Sequence, residues 1–147
     1  MRKYMQVFIN CIRKSSPLKD KIIQELSHSN IEWIDLYDET LEDDVFAVTV
    51  NTIEAVKNNE DTKALIIDDY GIAPFIIANK HKNIIAASVS DDRSAYMTAR
   101  HNNTKIMILA SEIVGPTLAV NCAKAFGESS YDAGRHQIRI DMLNSLC

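Results

Sequence analysis

The stretch Ile84-Ile-Ala-Ala-Ser-Val-Ser-Asp-Asp-Arg-Ser-Ala-Tyr-Met-Thr-Ala-Arg100, with Ile106-Met-Ile-Leu-Ala110 after it, decides the fold. Ile84–Val89 is an apolar run of strand length, and Ser90-Asp91-Asp92 behind it is a helix start. Side-chain oxygens there accept from the orphan N–H groups of a first turn, and carboxylates at that end suit the helix dipole. The helix predicted from this start reaches about Arg100, and Ile106–Ala110 is the next strand. Two apolar strands with a helix between them form the unit of a parallel sheet, because a parallel pair needs a long crossover.

The alternation continues in both directions. Upstream, Met5–Ile9 reads as a strand, Pro17 opens a helix through Leu26, and Ile31–Leu36 is a second strand. Asp43–Val56 has helical spacing, Ala64–Ile67 is a short strand ending at Asp68-Asp69, and Ile72–Asn79 is helical with Pro74 in its first turn. Downstream, a helix begins with Pro116–Phe126, and a last one is predicted from Arg135 to Leu146. The expected fold is α/β, a Rossmann-like three-layer sandwich around a five-stranded parallel sheet, with residues 1–147 as one domain. In such sheets ligands sit beyond the carboxyl ends of the strands, so the loops after strands 1, 3, 4 and 5 are expected around any site. The four glycines form no Gly-x-Gly-x-x-Gly run, which disfavours a dinucleotide.

With 147 residues, 46% apolar and 24% charged, the chain can bury a proper core. A net charge of −4 argues against broad attraction to nucleic acid or to an anionic membrane, so any anion site must be local. Cys11, Cys122 and Cys147 are far apart and make no metal-type pair, which fits free thiols in a reducing, cytoplasmic setting. The Met1-Arg2-Lys3 start precedes only a short apolar run interrupted by Asn10, so no signal peptide is expected. No apolar run approaches membrane-spanning length.

The segment Tyr131-Asp-Ala-Gly-Arg-His-Gln-Ile-Arg-Ile-Asp141 is the local exception to the acidic balance. Arg135 and Arg139 are four residues apart, so on one helix they share a face. Two guanidinium forks with His136 beside them suit a phosphate or carboxylate, although a solvated basic face would read the same way. His101, at the polar end of a predicted helix, would more often be a capping or solvated histidine. Asp68 is either a carboxylate base or a cap for the helix after it, with capping favoured. Cys11, at the end of the first strand, reads as a buried core thiol.

A set of short motifs joins these residues: Ala78-Asn-Lys80, Arg93-Ser-Ala-Tyr96, Arg100-His-Asn-Asn103, Ile113-Val-Gly115 and Gly134-Arg-His-Gln-Ile-Arg139. In order and spacing the chain from about residue 61 to 147 resembles the ribose-5-phosphate isomerase B and galactose-6-phosphate isomerase family. The first sixty residues fit the fold but carry weaker motifs. Ser88-Val-Ser-Asp-Asp-Arg-Ser94, Ser111-Glu-Ile-Val-Gly115 and the ending Arg139–Cys147 are most similar to its A-type galactose-6-phosphate isomerase subunits.

The resemblance implies a metal-free, cofactor-free aldose–ketose isomerase that moves a proton between C1 and C2 of a sugar phosphate. By that likeness His101 opens the sugar ring with Asn102 beside it, and Arg135 and Arg139 clamp the phosphate. Three departures stand against it. Family members with a complete site end the third strand in a cysteine base followed by Gly-Thr-Gly-x-Gly, whereas this chain reads Asp68-Asp-Tyr-Gly-Ile-Ala73. The first-strand Asp-His motif is replaced by Ile12-Arg13, which leaves Arg13 to reach a phosphate or to pair across an interface. Glu112 stands where related chains carry another arginine.

The family builds its site across a subunit interface, so the likeness implies a C-terminal helix reaching a neighbouring subunit. It also implies a B-type galactose-6-phosphate isomerase subunit that supplies the missing cysteine, with self-association open as well. The expected reaction is D-galactose 6-phosphate to D-tagatose 6-phosphate, in lactose or galactose breakdown. The rival expectations are a non-catalytic structural or sugar-phosphate-binding subunit and, ranked last, a homomeric isomerase using Asp68.

Overall fold

The computed structural model describes residues 4–147, so the Met1-Arg2-Lys3 start weighed for a leader lies outside the described residues. Strand and helix alternate as β1 (Met5–Cys11), α1 (Ser16–Glu25), β2 (Ile31–Asp35), α2 (Val45–Asn58), β3 (Lys63–Asp68) and α3 (Ala73–Asn79). They continue as β4 (Ala86–Ser88), α4 (Asp92–His101), β5 (Ile106–Ala110), α5 (Pro116–Glu128) and α6 (Gln137–Asn144). The five strands are all parallel and lie in the order β2-β1-β3-β5-β4, as the alternation predicts.

Side chains that alternate along each strand divide the core into two layers. Val7, Ile9, Leu65, Ile67, Met107 and Leu109 face α1, α4 and α5, where Ile22, Ala95, Ala99, Cys122 and Phe126 meet them. Phe8, Ala64, Ile66, Ile106 and Ile108 face the opposite layer, against Val48, Ile53 and Val56 of α2 and Ala78 of α3. The central strands β3 and β5 are covered on both faces, which is why they read as unbroken apolar runs. Each fully buried leucine or isoleucine there contributes roughly 1.5–3 kcal/mol over exposure. The polar interruption Asn10 is also buried: its amide donates to Thr52 Oγ1 (3.1 Å) and its Oδ1 accepts from the Cys11 N–H (2.9 Å). A buried amide partnered in this way ties β1 to α2 at little net cost.

Local chemistry sets the helix starts. Asp44 caps α2 by accepting from the Ala47 N–H (3.0 Å), and Asp91 caps α4 through the Ser94 N–H (2.6 Å). Several element ends depart from the sequence reading; β1 runs on to Cys11, and α2 starts and ends two residues later than expected. Strand β3 extends at both ends to take in Lys63 and Asp68. Strand β4 shrinks to three residues, because as an edge strand it pairs with β5 alone. The last helix starts at Gln137, because Gly134–His136 forms a 3₁₀ turn behind Ala133 and Gly134, both at positive φ (54° and 59°). Arg135 is therefore in the turn and Arg139 in the helix, so the pair straddles a junction instead of riding on one regular helix.

Candidate functional site

Helix α4 leaves the carboxyl end of β4 and runs back along the sheet. Ten residues at 1.5 Å each carry it about 15 Å, and Asn102–Lys105 then lead directly into the start of β5. The Lys105 N–H bonds the Ile85 carbonyl at 2.8 Å, which holds this corner at the amino end of the sheet. His101 thus lies at the amino ends of the strands, opposite the end where the fold class leads one to expect ligands. That corrects the expectation that the loops after strands 1, 3, 4 and 5 surround every candidate residue.

Around His101 the chain gathers a compact polar group. The His136 ring stacks on the His101 ring, with centroids 4.2 Å apart and planes 16° from parallel. Asp132 and Arg100 form a two-pronged pair: Nε donates to Oδ2 at 3.0 Å, and a terminal guanidinium nitrogen lies 2.8 Å from Oδ1. Planar forks of this kind carry geometric specificity as well as energy. The Asp132 N–H also donates to the Arg100 carbonyl at 2.9 Å, and Asp132 Oδ2 stands 3.9 Å from His101 Nε2. The Arg100 guanidinium lies over the Tyr96 ring at 5.1 Å. Arg135 and Arg139 are exposed beside this group. Loss of hydration, then His101, Arg135 and Arg139, hold the His136 imidazole below its ordinary pKa, with Asp132 opposing them.

Asn102 caps the end of α4. Its N–H donates to the Thr98 carbonyl (3.1 Å) and its amide oxygen accepts from Thr98 Oγ1 (3.0 Å), which also meets Thr104 Oγ1 at 2.7 Å. The segment bearing Asp132 is fastened from below by Lys63. Its ammonium, largely buried, donates to the carbonyls of Phe126 and Ser129 at the end of α5 and lies over the Phe126 ring. Burial, helped by Lys105, pushes the Lys63 pKa down to about 8. An open hollow of about 670 Å³ adjoins this corner, lined by Lys63, Asn103, Lys105, Ser129 and Tyr131 among others.

The carboxyl end of the sheet is built differently. Asp68, buried at the tip of β3, accepts from the Gly71 N–H at 2.7 Å. It caps the turn before α3, while that helix itself begins at Ile72 without a side-chain cap. Burial raises the Asp68 carboxyl above the ordinary carboxylate range, the Gly71 bond opposes this, and Asp69 adds to it. Gly71 has φ +74°, and a Cβ there would stand 2.8 Å from Ser88 Oγ and 3.2 Å from Ala110 Cβ. Tyr70 and Ile72 on either side are exposed. Arg13 is exposed as well; its backbone N–H meets the Glu42 carbonyl at 2.9 Å. Cys11 belongs to the core, where burial pushes its thiol up to about 12 and leaves it an inert packing residue.

The structure thus brings His101, His136 and, through the same turn, Arg135 together, and keeps Asp68 and Arg13 at the far end of the sheet. Sequence reading missed Arg100, Asp132 and Lys63. Asp132 had one signal, an acid standing just ahead of Arg135, His136 and Arg139; Lys63 had none, because a lysine at a strand edge normally marks solvent.

The Ribose/Galactose Isomerase family matches residues 7–143. The galactose-6-phosphate isomerase subunit LacA of Streptococcus agalactiae is 44% identical over 143 residues, covering 97% of this chain and all of the relative. The LacA subunits of Staphylococcus haemolyticus and Lactococcus lactis are 45% and 42% identical over the same coverage. Among solved structures, ribose-5-phosphate isomerase B of Clostridium thermocellum superposes with a TM-score of 0.87 at 26% identity, covering 97% of each chain. The Thermotoga maritima enzyme gives 0.86 at 25%, covering 96% of this chain and 98% of that one. The likeness therefore extends into the first sixty residues, where the motifs are weak, and the chain belongs to the ribose/galactose isomerase family.

Proposed function

We propose that this chain is the A-type subunit of a galactose-6-phosphate isomerase, converting D-galactose 6-phosphate to D-tagatose 6-phosphate in the cytoplasm within a hetero-oligomer. One observation carries the reading. The ring-opening residues and the position of the proton-abstracting base lie at opposite ends of one sheet, so a complete site needs a second chain. His101 opens the sugar ring by moving a proton between ring oxygen and C1 hydroxyl, and Asn102 orients it or the sugar. Arg135 and Arg139 grip the phosphate as point-fixed guanidinium forks, with His136 beside them. A cysteine of a B-type partner takes the C2 proton, and backbone donors at that partner's glycine-rich turn hold the enediolate. The work of this half is positioning, which is where much of such a barrier is removed.

The surface supports an obligate partner. Ile138, Met142 and Leu146 stand one turn apart along the C-terminal segment and are 70%, 64% and 78% exposed. Such a stripe at i, i+4 and i+8 lacks the burial that an apolar helix face normally finds. We assign it to the neighbouring subunit. Asp68 is a poor substitute base, because its carboxylate is engaged with the Gly71 N–H, and Pro74 has no N–H to offer an enediolate.

The test is to assay the purified chain alone and after co-expression with a B-type subunit. Isomerase activity should need both, and strong turnover by the isolated chain would sink the shared-site reading. The rival, a binding subunit without chemistry, is separated by Arg135→Ala in the mixed assembly. A lost charge-assisted phosphate contact, worth about 1.5–3 kcal/mol, should raise KM roughly 10- to 100-fold while the complex still assembles. A change in assembly alone would favour the rival.

A further inference from the structure

We infer that Asp132 is the positioning residue for His101: locked by Arg100, it orients the imidazole and selects the tautomer in which Nε2 carries the proton. This rests on the reading of His101 as the ring-opening group, and deepens it.

The geometry behind the inference is a carboxylate with nowhere else to go. Both of its oxygens meet the Arg100 guanidinium, and its own N–H meets the Arg100 carbonyl. Three contacts to one residue define where Asp132 stands and how its plane is turned. Arg100 is in turn flanked by the Tyr96 ring, and it is the residue immediately before His101 on α4. The carboxylate is thereby built onto the same helix end as the imidazole it faces. Oδ2, the oxygen toward His101, stands 3.9 Å from Nε2. That is longer than a hydrogen bond, and a modest ring rotation or one bridging water closes it. Hydrogen bonds at catalytic groups are often long before substrate is present and tighten with it.

One face of the imidazole is taken by His136, stacked at 4.2 Å. The stacked neighbour limits the tilt of the ring and leaves the small rotation in its own plane that brings Nε2 to Oδ2. A neutral imidazole carries one proton, and the partner at one nitrogen decides where it sits. With an acceptor at Nε2 the proton belongs there, leaving the Nδ1 lone pair for the sugar hydroxyl. The groups that the structure places against His101 are Asp132 and His136, with Arg100 paired to Asp132 and Arg135 and Arg139 near His136. Asp132 is the sole acid among them. It opposes an otherwise cationic surround that also serves the phosphate. It also couples the two duties of the site, because the segment that carries Asp132 continues through Ala133 and Gly134 into Arg135.

Asp132→Asn keeps size and keeps an acceptor oxygen but removes the charge, so the chain should fold. Two measurements decide. In the mixed assembly with D-galactose 6-phosphate, D132N should lower kcat at least tenfold with KM within twofold, and Asp132→Glu should recover part of the loss. In the 15N-labelled isolated chain, the side-chain nitrogen shifts of His101 should move away from the Nε2–H pattern in D132N. Wild-type kcat, a rise in KM alone, or an unmoved tautomer pattern would each overturn the inference, the last even if turnover fell. His101→Ala is measured alongside. If that variant stays active the ring-opening reading itself fails, whereas an inactive His101→Ala with an unchanged D132N removes only Asp132.

Discussion

The two ends of the sheet are opposites. At the carboxyl end, where open α/β sheets normally receive ligands, the turn after β3 is filled: Asp68 is bonded into it, Gly71 is wedged under Ser88 and Ala110, and Tyr70 and Ile72 stand exposed beside it, with the buried Asp69 Oδ1 left without a hydrogen-bond partner among the described residues. At the amino end, stacked histidines, a forked Arg100–Asp132 pair and exposed arginines stand beside an open hollow. The lesson is that the usual ligand position of a fold need not be where a chain gathers its polar candidates: here the turn after β3 is filled and the polar group stands at the opposite end. Under the proposed shared site, a neighbour's carboxyl end would meet that group.

The sharpest way to break this contrast is to remove one residue from each end in the same mixed assembly. His101→Ala should cost about 10²–10⁴-fold in turnover, the ordinary contribution of a general acid–base group. Asp68→Asn should leave turnover within twofold and make the protein more stable at pH 7. The sign follows from burial. A carboxyl raised on folding favours the proton, so the ionised form costs stability once pH rises through the folded pKa. The asparagine keeps an acceptor for the Gly71 N–H without that cost, and its advantage should vanish in acid below the ordinary carboxylate range. Equal losses from the two variants, read in a steady-state assay, would erase the distinction between the ends.

Lys63 offers a second comparison, since it fastens the amino-end segment from inside the core. Its pKa is about 8 folded against an ordinary 10.5, so between those values the unfolded chain holds the extra proton. Wild-type stability should therefore rise with pH across that window and be lowest, on this account, below pH 8. At 1.36 kcal/mol per unit the full swing is roughly 3 kcal/mol. Lys63→Met removes the titration. Urea unfolding of both proteins from pH 7.5 to 10.5 should show wild type gaining on the variant by up to that amount. A constant difference would mean that Lys63 is effectively solvated.

How much of this was legible follows the range of the interactions. Apolar runs gave β3 and β5, because a strand covered on both faces must be apolar at every position, and Ser90-Asp91-Asp92 gave α4, because capping is local. The limits of β4 were not legible, since Ile84 and Val89 are buried whether or not they join the ladder, and only pairing with β5 decides. Lys63 reads as an exposed strand edge until two carbonyls 63 and 66 residues away turn it inward. Arg100 and Asp132 are 32 residues apart, and nothing in either segment announces the other. His101 was legible as a candidate only through the Arg-His-Asn-Asn motif. That it stands at the amino end needed the direction of α4, which the alternation implies but the site reading had not used.

The smallest expected effect tests how the amino-end segment is aimed. The carboxyl-end turn uses glycine at its positive φ, whereas the amino-end turn places alanine at φ 54°, ψ −131°, a region that costs a side chain about 1–3 kcal/mol. Ala133→Gly relieves that strain but loosens the unfolded chain by about 0.4–1 kcal/mol, so the net gain should lie between nothing and roughly 2.6 kcal/mol. For a chain of this length each kcal/mol is a rise of a few degrees in Tm. The strain is worth keeping only if it directs Arg135 and His136. The glycine variant should then be slightly more stable and bind the sugar phosphate less well, with KM raised a few-fold and the fall recovered when Ala133 is restored. A variant that gains stability and keeps its KM would show that the turn is held by the Arg100–Asp132 pair alone, and that the strained alanine contributes nothing to the arginines it precedes.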